Sequence, residues 1–482
     1  MTNVFTTVWD FITGGVRSLP VNETLPGSVM ASITNDPINL YDALEILYNN
    51  DSKLTDTDTT RRLRTVVNRS VEFYASKMMP GDSIAAITDR PGVKDAIEKV
   101  LRVSNFQANK PAMLRNLALY GDQFTRIRGE LDKVYMEDIK PRYVTDFTED
   151  SRGFLTSLRI DIPTSDEAGG TVTYTEFWTL AGLSIWQGYH NRSTPLSQMG
   201  DPETFTELSG FGVDFIPVVH TKFKNTGDKR GQSCVYHALD KIYEANRLAT
   251  RLNDLQFRHN KPIWAALANA MDKEGRPMPP PMVKTSGSKA NATAAEEAKE
   301  TILGDVVYLP GTADMKALIP GINYEHALKI LNAQMEELEE DLPELRYYSI
   351  QDNGQLSGEA IKKLLGAAID RALEARNNFA ASLKRINAMA LTIGMHVGIF
   401  DKSLGTFDAG HFEHDIALDE MFGESTNERA ITLKAMTDAG IPLAVAMKKA
   451  GFSKEEIDEA VAIKEREQAR FDARTAVQPT EA

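Results

Sequence analysis

The chain has 482 residues, of which 42% are apolar and 25% are charged, and 54 Lys and Arg against 68 Asp and Glu give a formal net charge of −14. This composition excludes a disordered or collagen-like chain, and the length corresponds to about three domains of roughly 150 residues. The single cysteine, Cys234, excludes an intramolecular disulfide and a Cys-based zinc motif. The acidic balance argues against a protein that grips nucleic acid tightly through a basic surface.

Neither a secretion signal nor a membrane span is expected. The first residues lack a basic leader followed by a continuous apolar core. The best uncharged stretch, Ile386–Phe400, is interrupted by Asn387 and His396 and is shorter than the roughly 20 residues that cross a bilayer. The sequence therefore predicts a soluble intracellular protein.

The first 140 residues are predicted to be mostly helical. Apolar residues at helical spacing indicate helices over Asn39–Tyr48, Arg61–Met79 and Met113–Met136. The second of these ends at Pro80, and the third ends before Pro141. None of the three carries a recognisable chemical motif.

Strands are predicted after about Tyr143. Phe154–Ile162 and Thr171–Trp178 alternate and are rich in β-branched and aromatic residues, with Gly169–Gly170 as the turn between them. Val213–Val219 is a further strand, placed at a sheet edge because Pro217 cannot donate a ladder hydrogen bond. The local aromatic residues favour a core or an interface over a base-stacking platform: Tyr174, Phe177, Trp178, Trp186 and Tyr189.

Two amphipathic helices then flank an excursion rich in proline. The first is predicted over Cys234–Arg258 and the second over Tyr324–Leu342, whose apolar residues repeat every three or four positions as one seam. The excursion, residues 261–322, is expected to project and to be partly extended, because proline cannot donate a backbone hydrogen bond. A short strand, Gly304–Pro310, leads back from it.

A polar and aromatic loop, Pro343–Leu356, is predicted before a very long helix, Ser357–Phe400. Gly366 and Asn377–Asn378 are the expected bends of that helix. The tail is helical again, with one helix closing at Gly440 and others following. Its last helix is net acidic, which argues against a DNA-reading helix-turn-helix.

Motifs for catalysis are missing from the sequence. It has no GxxxxGK[ST] phosphate loop, no GxGxxG and no GxSxG. The close pair His411 and His414 lacks a third metal ligand, so a solvated loop is favoured over a metal site, and Cys234 is interpreted as a core residue of a helix. We therefore expect no enzyme, no cofactor and no metal.

The helix over Tyr324–Leu342 has an unusual charge pattern. Its C-terminal part carries an acidic run that opposes the helix dipole and places like charges four residues apart: Glu336, Glu337, Glu339, Glu340 and Asp341. The next long helix begins with Lys362 and Lys363 and is net basic. A solvated face explains most such runs, but stacked charged belts would result if several copies formed a ring.

The order of these parts resembles that of the portal proteins of tailed bacteriophages, of the siphophage type. The resemblance covers about residues 140–475 and depends on the order and spacing of a few stretches: Gly231–Asp240, Gln355–Lys363, Asp438–Pro442 and Gly451–Glu456. It implies an α+β, predominantly helical fold with wing, stem, clip and crown regions, assembled as a ring of twelve subunits at one capsid vertex.

The resemblance also divides the chain into regions. The wing consists of a helical part, residues 1–140, and a strand-rich part, residues 141–230. The stem consists of a first helix, residues 231–260, and a second helix, residues 323–342, with the clip, residues 261–322, between them. The tunnel loop, residues 343–356, the long tunnel helix with the wing return, residues 357–420, and the helical crown, residues 421–482, follow.

Three groups of site residues follow from this division. The tunnel loop would contact DNA through Arg346, Tyr347, Tyr348, Gln351, Asp352 and Asn353. The channel wall would include Glu336, Glu340, Lys362 and Lys363. The clip would bind partners through Arg276, Pro279, Pro280, Lys284 and Lys289.

The partners implied by the resemblance are further copies of the chain, the terminase large subunit, a head–tail adaptor, the major capsid protein and a scaffold protein. Double-stranded DNA would pass through the ring without sequence readout. The protein would be located in the virion and, during assembly, in the host cytoplasm. Duplex DNA carries one negative charge per about 1.7 Å, so a basic channel wall would retain it. A mostly acidic wall would keep the duplex mobile. The alternatives are a virion scaffold or adaptor ring without a tunnel, a loop that only packs between subunits, and an enzyme using His411 and His414.

Overall fold

The structure is a computed structural model and shows an α+β fold, as predicted. The residues that it describes are 37–49, 65–81, 84–130, 132–165, 170–205, 214–260, 264–268, 306–310, 324–351, 358–419, 421, 426–450, 452 and 454–475. None of the helices in these ranges is long and apolar enough to cross a membrane.

In the described residues of the N-terminal part the elements are α1 (Pro37–Asn49), α2 (Val66–Lys77), β1 (Ala86–Ile87), α3 (Pro91–Val103) and α4 (Phe106–Tyr120). The helix predicted over Asn39–Tyr48 is confirmed as α1, and that over Arg61–Met79 is confirmed for Val66–Lys77, while residues 61–64 lie outside the described ranges. Tyr41, Phe73 and Tyr74 are almost fully buried in the larger of two hydrophobic cores.

The predicted helix over Met113–Met136 is wrong beyond Tyr120. Gly121 has a φ of +82° and caps α4, because a residue without Cβ adopts this left-handed conformation at no steric cost. The chain then forms an antiparallel pair of strands, β2 (Asp122–Gly129) and β3 (Val134–Ile139). The N-terminal region is therefore not helical throughout.

A five-stranded antiparallel sheet follows in chain order: β4 (Val144–Glu149), β5 (Leu155–Ser165), β6 (Thr171–Thr179), β7 (Gly182–Gly188) and β8 (Glu203–Phe205). The two strands predicted here are confirmed as β5 and β6. Of the turn predicted at Gly169–Gly170, only Gly170 lies among the described residues.

A three-stranded sheet has the order β3-β2-β9, in which β9 is Val218–Lys222. The strand predicted over Val213–Val219 therefore begins later, immediately after Pro217, but lies at a sheet edge as expected. The two sheets enclose the smaller core, whose buried side chains include Phe124, Phe147 and Trp178.

A buried ion pair joins these two sheets. Arg126 on β2 donates from Nη1 to both carboxylate oxygens of Glu176 on β6, at 2.9 and 2.7 Å. Both side chains are almost fully buried, and the indole nitrogen of Trp178 donates to Glu176 at 2.9 Å. Arg126 also donates to Glu137, which is partly exposed.

A second buried polar network surrounds His220 on β9. Its Nε2 donates to Asp122 at 2.8 Å and its Nδ1 donates to Glu149 at 2.7 Å, and the imidazole is fully buried. Tyr41 donates a hydrogen bond to Asp122, and Arg230 donates to the Tyr41 hydroxyl at 3.0 Å. The network thus connects α1, both sheets and the chain that leads to the next long helix.

Two helices and a strand pair follow: α5 (Leu239–Asn260), β10 (Trp264–Ala268), β11 (Val306–Pro310) and α6 (Tyr324–Asp341). β10 and β11 pair in parallel, and α5 packs against α6. The helix predicted from Cys234 begins only at Leu239, so the buried Cys234 precedes it. The backbone N–H of Cys234 donates to the carbonyl of Ala118 at 3.0 Å, so this residue is attached to the end of α4 before the helix begins.

The segment predicted as a loop contains a 3-10 turn at Pro343–Leu345 and a short helix, α7 (Arg346–Gln351). The very long helix is divided into α8 (Gly358–Leu364) and α9 (Gly366–His396), so the bend expected at Gly366 is confirmed. The bend expected at Asn377–Asn378 is wrong, because α9 continues through it. Asn378 instead donates to the carbonyl of Lys222 at 3.1 Å and attaches α9 to the sheet.

The C-terminal part begins with a strand that pairs with β1 and ends with three helices: β12 (Asp415–Ile416), α10 (Thr426–Asp438), α11 (Leu443–Lys449) and α12 (Lys454–Thr475). The helix end predicted at Gly440 is confirmed, since α10 ends at Asp438 and Gly440 has a φ of +81°.

Candidate nucleic-acid interface

Helices α5 and α6 form an antiparallel hairpin. Lys241, near the start of α5, contacts the last turn of α6, which fixes their opposite directions. Leu331 and Leu338 of the predicted seam are buried, whereas Leu328 is 54% exposed. The apolar seam of α6 is therefore buried from Leu331 toward the C-terminal end of the helix and exposed at Leu328.

Part of the acidic run is neutralised within the chain. The ammonium of Lys241 lies 2.7 Å from Glu337 and 2.7 Å from Asp341, which are four residues apart on α6. The hydrogen bonds that Lys241 donates to Asp341 and Glu337 raise the pKa of Lys241. One lysine thus offsets the repulsion between two like charges on neighbouring turns.

Glu336 and Glu340 lie on the opposite side of α6 from Leu338 and are exposed. Neither forms an ion pair with any residue in the described ranges. The same stripe continues toward the N-terminus of α6 with Glu325, which pairs with Lys329 at 2.8 Å. We call Glu325, Lys329, Glu336 and Glu340 the outer stripe.

The two tyrosines of α7 are half-buried against α2 rather than extended into solvent. The Tyr347 ring meets the Phe73 ring edge to face, with 5.5 Å between centroids, and the ammonium of Lys77 lies 5.0 Å from the Tyr347 centroid. The Tyr348 hydroxyl donates to the carbonyl of Arg69 at 2.9 Å, and the Arg69 guanidinium lies 5.6 Å from the Tyr348 centroid. We call Arg69, Lys77, Tyr347 and Tyr348 the aromatic–basic cluster.

Glu344 ties the start of this segment to α2. Its side chain is completely buried, and it accepts a hydrogen bond from the Tyr74 hydroxyl at 3.2 Å. Burial raises the pKa of Glu344 above its ordinary value. The structure describes no basic residue within ion-pair distance of this carboxyl, and the more distant charge of Arg371 lowers its pKa only in part.

Replacing Glu344 by glutamine is expected to increase the free energy of unfolding at pH 8, and to increase it by less at pH 4, because burial disfavours the ionised carboxyl. Because the folded-state pKa is raised, the stability that the carboxyl contributes is complete below its unfolded pKa of about 4.3 and is lost as pH rises through the folded value. Glutamine remains neutral and still accepts from Tyr74. Urea unfolding at the two pH values measures the difference.

Glu72 provides the control for this prediction, because its pKa is shifted the other way. Burial would raise it, but the hydrogen bond from Arg115 holds the pKa of Glu72 below its ordinary value. Glu72→Gln should therefore not stabilise the protein at pH 8. An equal gain from Glu344→Gln at both pH values would contradict the prediction.

The remaining predicted residues are distributed as follows. Lys362 is half-buried and Lys363 is exposed, both on α8 and before the bend at Gly366. Arg346 is half-buried at the start of α7, and the backbone of Gln351 ends that helix. The other residues predicted for the loop and the clip lie outside the described ranges: Asp352, Asn353, Arg276, Pro279, Pro280, Lys284 and Lys289.

The histidine pair is not arranged as a metal site. His414 is buried and not solvated, so the prediction of a solvated loop is wrong at this residue. Its Nδ1 donates to the carbonyl of Phe412 at 2.8 Å and its Nε2 accepts from Asn387 at 3.1 Å, which leaves no lone pair for a metal. Burial lowers the pKa of His414. Across the part of the chain that the structure describes, no three His, Cys, Asp or Glu residues are grouped as metal ligands.

Three functional candidates were missed from the sequence. Arg69 and Lys77 contact the predicted tyrosines from a helix 270–279 residues earlier in the chain, and Lys241 forms ion pairs with Glu337 and Asp341. The only local signal for the first two is the spacing Arg69, Phe73, Lys77, which places them on one helix face.

No family model and no curated protein matches the chain. Among solved structures, the chain is similar to one from the "virion of native gene transfer agent (GTA) particle", with 11% sequence identity and a TM-score of 0.39. That match covers 93% of this chain and 99% of the other. A similarity at this level does not assign a function.

Proposed function

We propose that copies of this chain form a ring in a virion and surround a channel through which double-stranded DNA is packaged and ejected. The observation that supports this proposal is the outer stripe of the α5–α6 hairpin. Its acids Glu336 and Glu340 are exposed and form no ion pair with any residue that the structure describes, while Glu337 and Asp341 are paired with Lys241.

An acidic surface suits a wall along which DNA slides. A basic wall would bind DNA through release of its counterions and retain it, whereas exposed carboxylates repel the phosphates. The hairpin leads directly into the aromatic–basic cluster through the turn at Pro343. A repelling wall followed by a small region of contact is the arrangement expected of a channel that guides a moving duplex.

The apolar residues on the hairpin support association of copies. Leu328 is 54% exposed and Ile330 is 44% exposed, and they lie on two sides of α6 in the single chain. Single exposed apolar residues are common, but a two-helix projection offers little of its own surface to cover them. Neighbouring hairpins in a ring would bury both residues.

The further partners belong to the same proposal. The terminase large subunit would supply the ATP-driven motor, so this chain itself would carry out no catalysis and hold no cofactor. A head–tail adaptor, the major capsid protein and a scaffold protein would bind at other surfaces of the ring. The protein would act at one capsid vertex of the virion and in the host cytoplasm during assembly.

The double variant Glu336→Lys/Glu340→Lys is expected to shorten the packaged DNA and to slow ejection, because it replaces exposed acids of each copy by phosphate-binding ammonium groups. Packaged length and ejection are measured in assembled particles. The matched control is Glu459→Lys/Glu465→Lys, which makes the same charge change at exposed acids of α12. Unchanged packaging and ejection in the first variant would remove the outer stripe from the mechanism.

The ring itself is tested separately. The mass of the purified assembly should correspond to many copies, and negative-stain images should show a hollow ring with a protruding stem. Material that remains a single chain at all concentrations and in assembling particles would overturn the proposal.

A second candidate is a scaffold or adaptor ring without a DNA tunnel. The packing of Tyr347 and Tyr348 against α2 favours it, because side chains that pack within the chain need no nucleic acid to explain them. Images of a ring without an axial opening would select this candidate.

A further inference from the structure

The C-terminal end of α6 has no cation of its own. Its last turn contains no basic residue, although the carbonyl groups left unpaired at the end of a helix attract positive charge. The final residue, Asp341, has its carboxylate paired with Lys241 at 2.7 Å. The backbone carbonyl of Asp341 is therefore left for donors from other elements.

Two side chains from different elements donate to that carbonyl. His237, in the 3-10 turn Tyr236–Ala238 before α5, donates from Nε2 at 2.9 Å. Arg371 of α9 donates from Nη1 at 3.1 Å. The two donor nitrogens are 3.4 Å apart, so they converge on one oxygen. The end of α6 is thus held at a single atom by α9 and by the residues that lead into α5.

Arg371 is the donor that connects the α5–α6 hairpin to a separately anchored helix. His237 and Lys241 belong to the entry and first turn of α5, so their contacts with Asp341 lie within the base of the hairpin. Arg371 comes from α9, which Asn378 attaches to the sheet. Its hydrogen bond therefore passes from the hairpin to a helix whose own position is fixed.

A small tilt at Asp341 is magnified along α6. Leu328 lies 13 residues before Asp341, which is about 20 Å along the helix axis. A tilt of about 10° at the Asp341 carbonyl would therefore displace Leu328 by about 3 Å. The direction in which Glu336 faces changes with the same tilt, because it lies on the same rigid helix.

We propose that Arg371 is a positioning residue, which fixes the direction of the α5–α6 hairpin through the backbone carbonyl of Asp341. The inference rests on the proposed function, because the orientation that Arg371 secures is that of the outer stripe toward the DNA. Arg371 acts through the hairpin and contributes no contact with DNA.

Spin labels on the two helices measure this orientation. Ala333→Cys/Ala381→Cys introduces one exposed site on α6 and one on α9. Cys234 is buried, so the label reaches only the introduced cysteines. Labelled full-length chains are diluted with unlabelled chains, so that electron–electron double resonance reports distances within one copy.

Arg371→Ala is expected to broaden the distribution of distances between the two labels, because α6 loses its donor from α9. The label at position 333 lies about 12 Å along the axis from Asp341, so a tilt of about 10° moves it by about 2 Å. Arg371→Lys should restore the narrow distribution, since an ammonium group can donate to the same carbonyl.

The matched control is Arg385→Ala on the same helix. Arg385 also donates to backbone carbonyls, those of Gly153 and Arg152, at 2.6 and 2.9 Å, but it does not touch the hairpin. Loss of stability alone would affect both alanine variants, whereas the distance distribution should broaden only in Arg371→Ala. Equal broadening in Arg385→Ala, or no recovery in Arg371→Lys, would overturn the inference.

The spin-label result does not depend on DNA, so the two proposals can fail separately. An unchanged distribution in Arg371→Ala, together with shortened packaging in Glu336→Lys/Glu340→Lys, would reject the role of Arg371 and leave the proposed function intact. A broadened distribution with normal packaging in Glu336→Lys/Glu340→Lys would support Arg371 as the positioning residue of the hairpin and reject the outer stripe as a channel wall.

Discussion

His220→Ala is expected to lower the free energy of unfolding by about 3–5 kcal/mol, because it removes one partner of a buried charge network. The imidazole is fully buried between Asp122 and Glu149, and Phe124 stacks on its face at 4.5 Å between centroids. Alanine would remove the cationic donor of the buried Asp122 and leave it only the hydrogen bonds from Tyr41 and from the backbone of Gly231. A loss of that magnitude is a large part of the free energy of unfolding of a typical protein, which is about 5–15 kcal/mol.

The size of this effect depends on pH in a direction that the structure sets. Burial would lower the pKa of His220, but the hydrogen bonds to Asp122 and Glu149 outweigh it and raise the pKa above its ordinary value. The stability contributed by the imidazolium is therefore complete below about pH 6.5 and is lost as pH rises through the folded-state value. Asp122, whose pKa is lowered by His220 despite burial, contributes above about pH 3.9 and loses its contribution as pH falls further.

Urea unfolding near pH 5.5 and near pH 9 checks this prediction, with the larger loss expected at the lower pH. His396 provides the control, since its side chain is exposed on α9 and its replacement by alanine should change stability by less than about 0.5 kcal/mol. A loss from His220→Ala that is equally small, or that grows toward pH 9, would show that the network does not hold the imidazolium.

Glu176→Ala is expected to cost about 3–5 kcal/mol for a related reason. It leaves the buried guanidinium of Arg126 without its two short hydrogen bonds and frees the indole nitrogen of Trp178. Because the pair joins β2 to β6, both sheets should be destabilised together. Chemical denaturation followed by tryptophan fluorescence measures the change.

Two controls test whether burial causes the effect. Glu130 and Lys133 form an ion pair with an N–O distance of 3.1 Å, but both side chains are nearly half exposed, so Glu130→Ala should cost much less than Glu176→Ala. The apolar double variant Arg126→Met/Glu176→Leu removes both charges and should recover much of the stability lost in Glu176→Ala. Equal costs at Glu176 and Glu130 would contradict the argument.

The local sequence pattern was sufficient to predict those elements whose apolar periodicity extends over their whole length. β5, β6 and α6 were predicted with nearly correct bounds, because alternation and the heptad-like seam extend over whole elements. The helix predicted through Met136 failed because apolar spacing after Tyr120 fits both structures. Gly121 was the available signal for the change, since glycine commonly ends a helix in the left-handed conformation.

The candidate site was only partly predictable. The seam of α6 placed Glu336 and Glu340 on the far side of the helix, and that placement depends on spacing alone. The sequence did not show that Glu337 and Asp341 form ion pairs, because their partner Lys241 reaches them only when α5 packs on α6. The pairing of Tyr348 with Arg69 is also long-range, so no window of the sequence contains it.

The break at Gly366 divides the long helix into the short helix α8 and the helix α9, which packs along the sheet. A Cβ at Gly366 would meet nothing within 4 Å, so the joint is not wedged by neighbouring atoms. α9 is anchored along the sheet by Asn378 and by a row of buried side chains, whereas Ile361 of α8 is only partly buried against the larger core. A substitution at Gly366 can therefore alter the angle between the two helices without displacing α9.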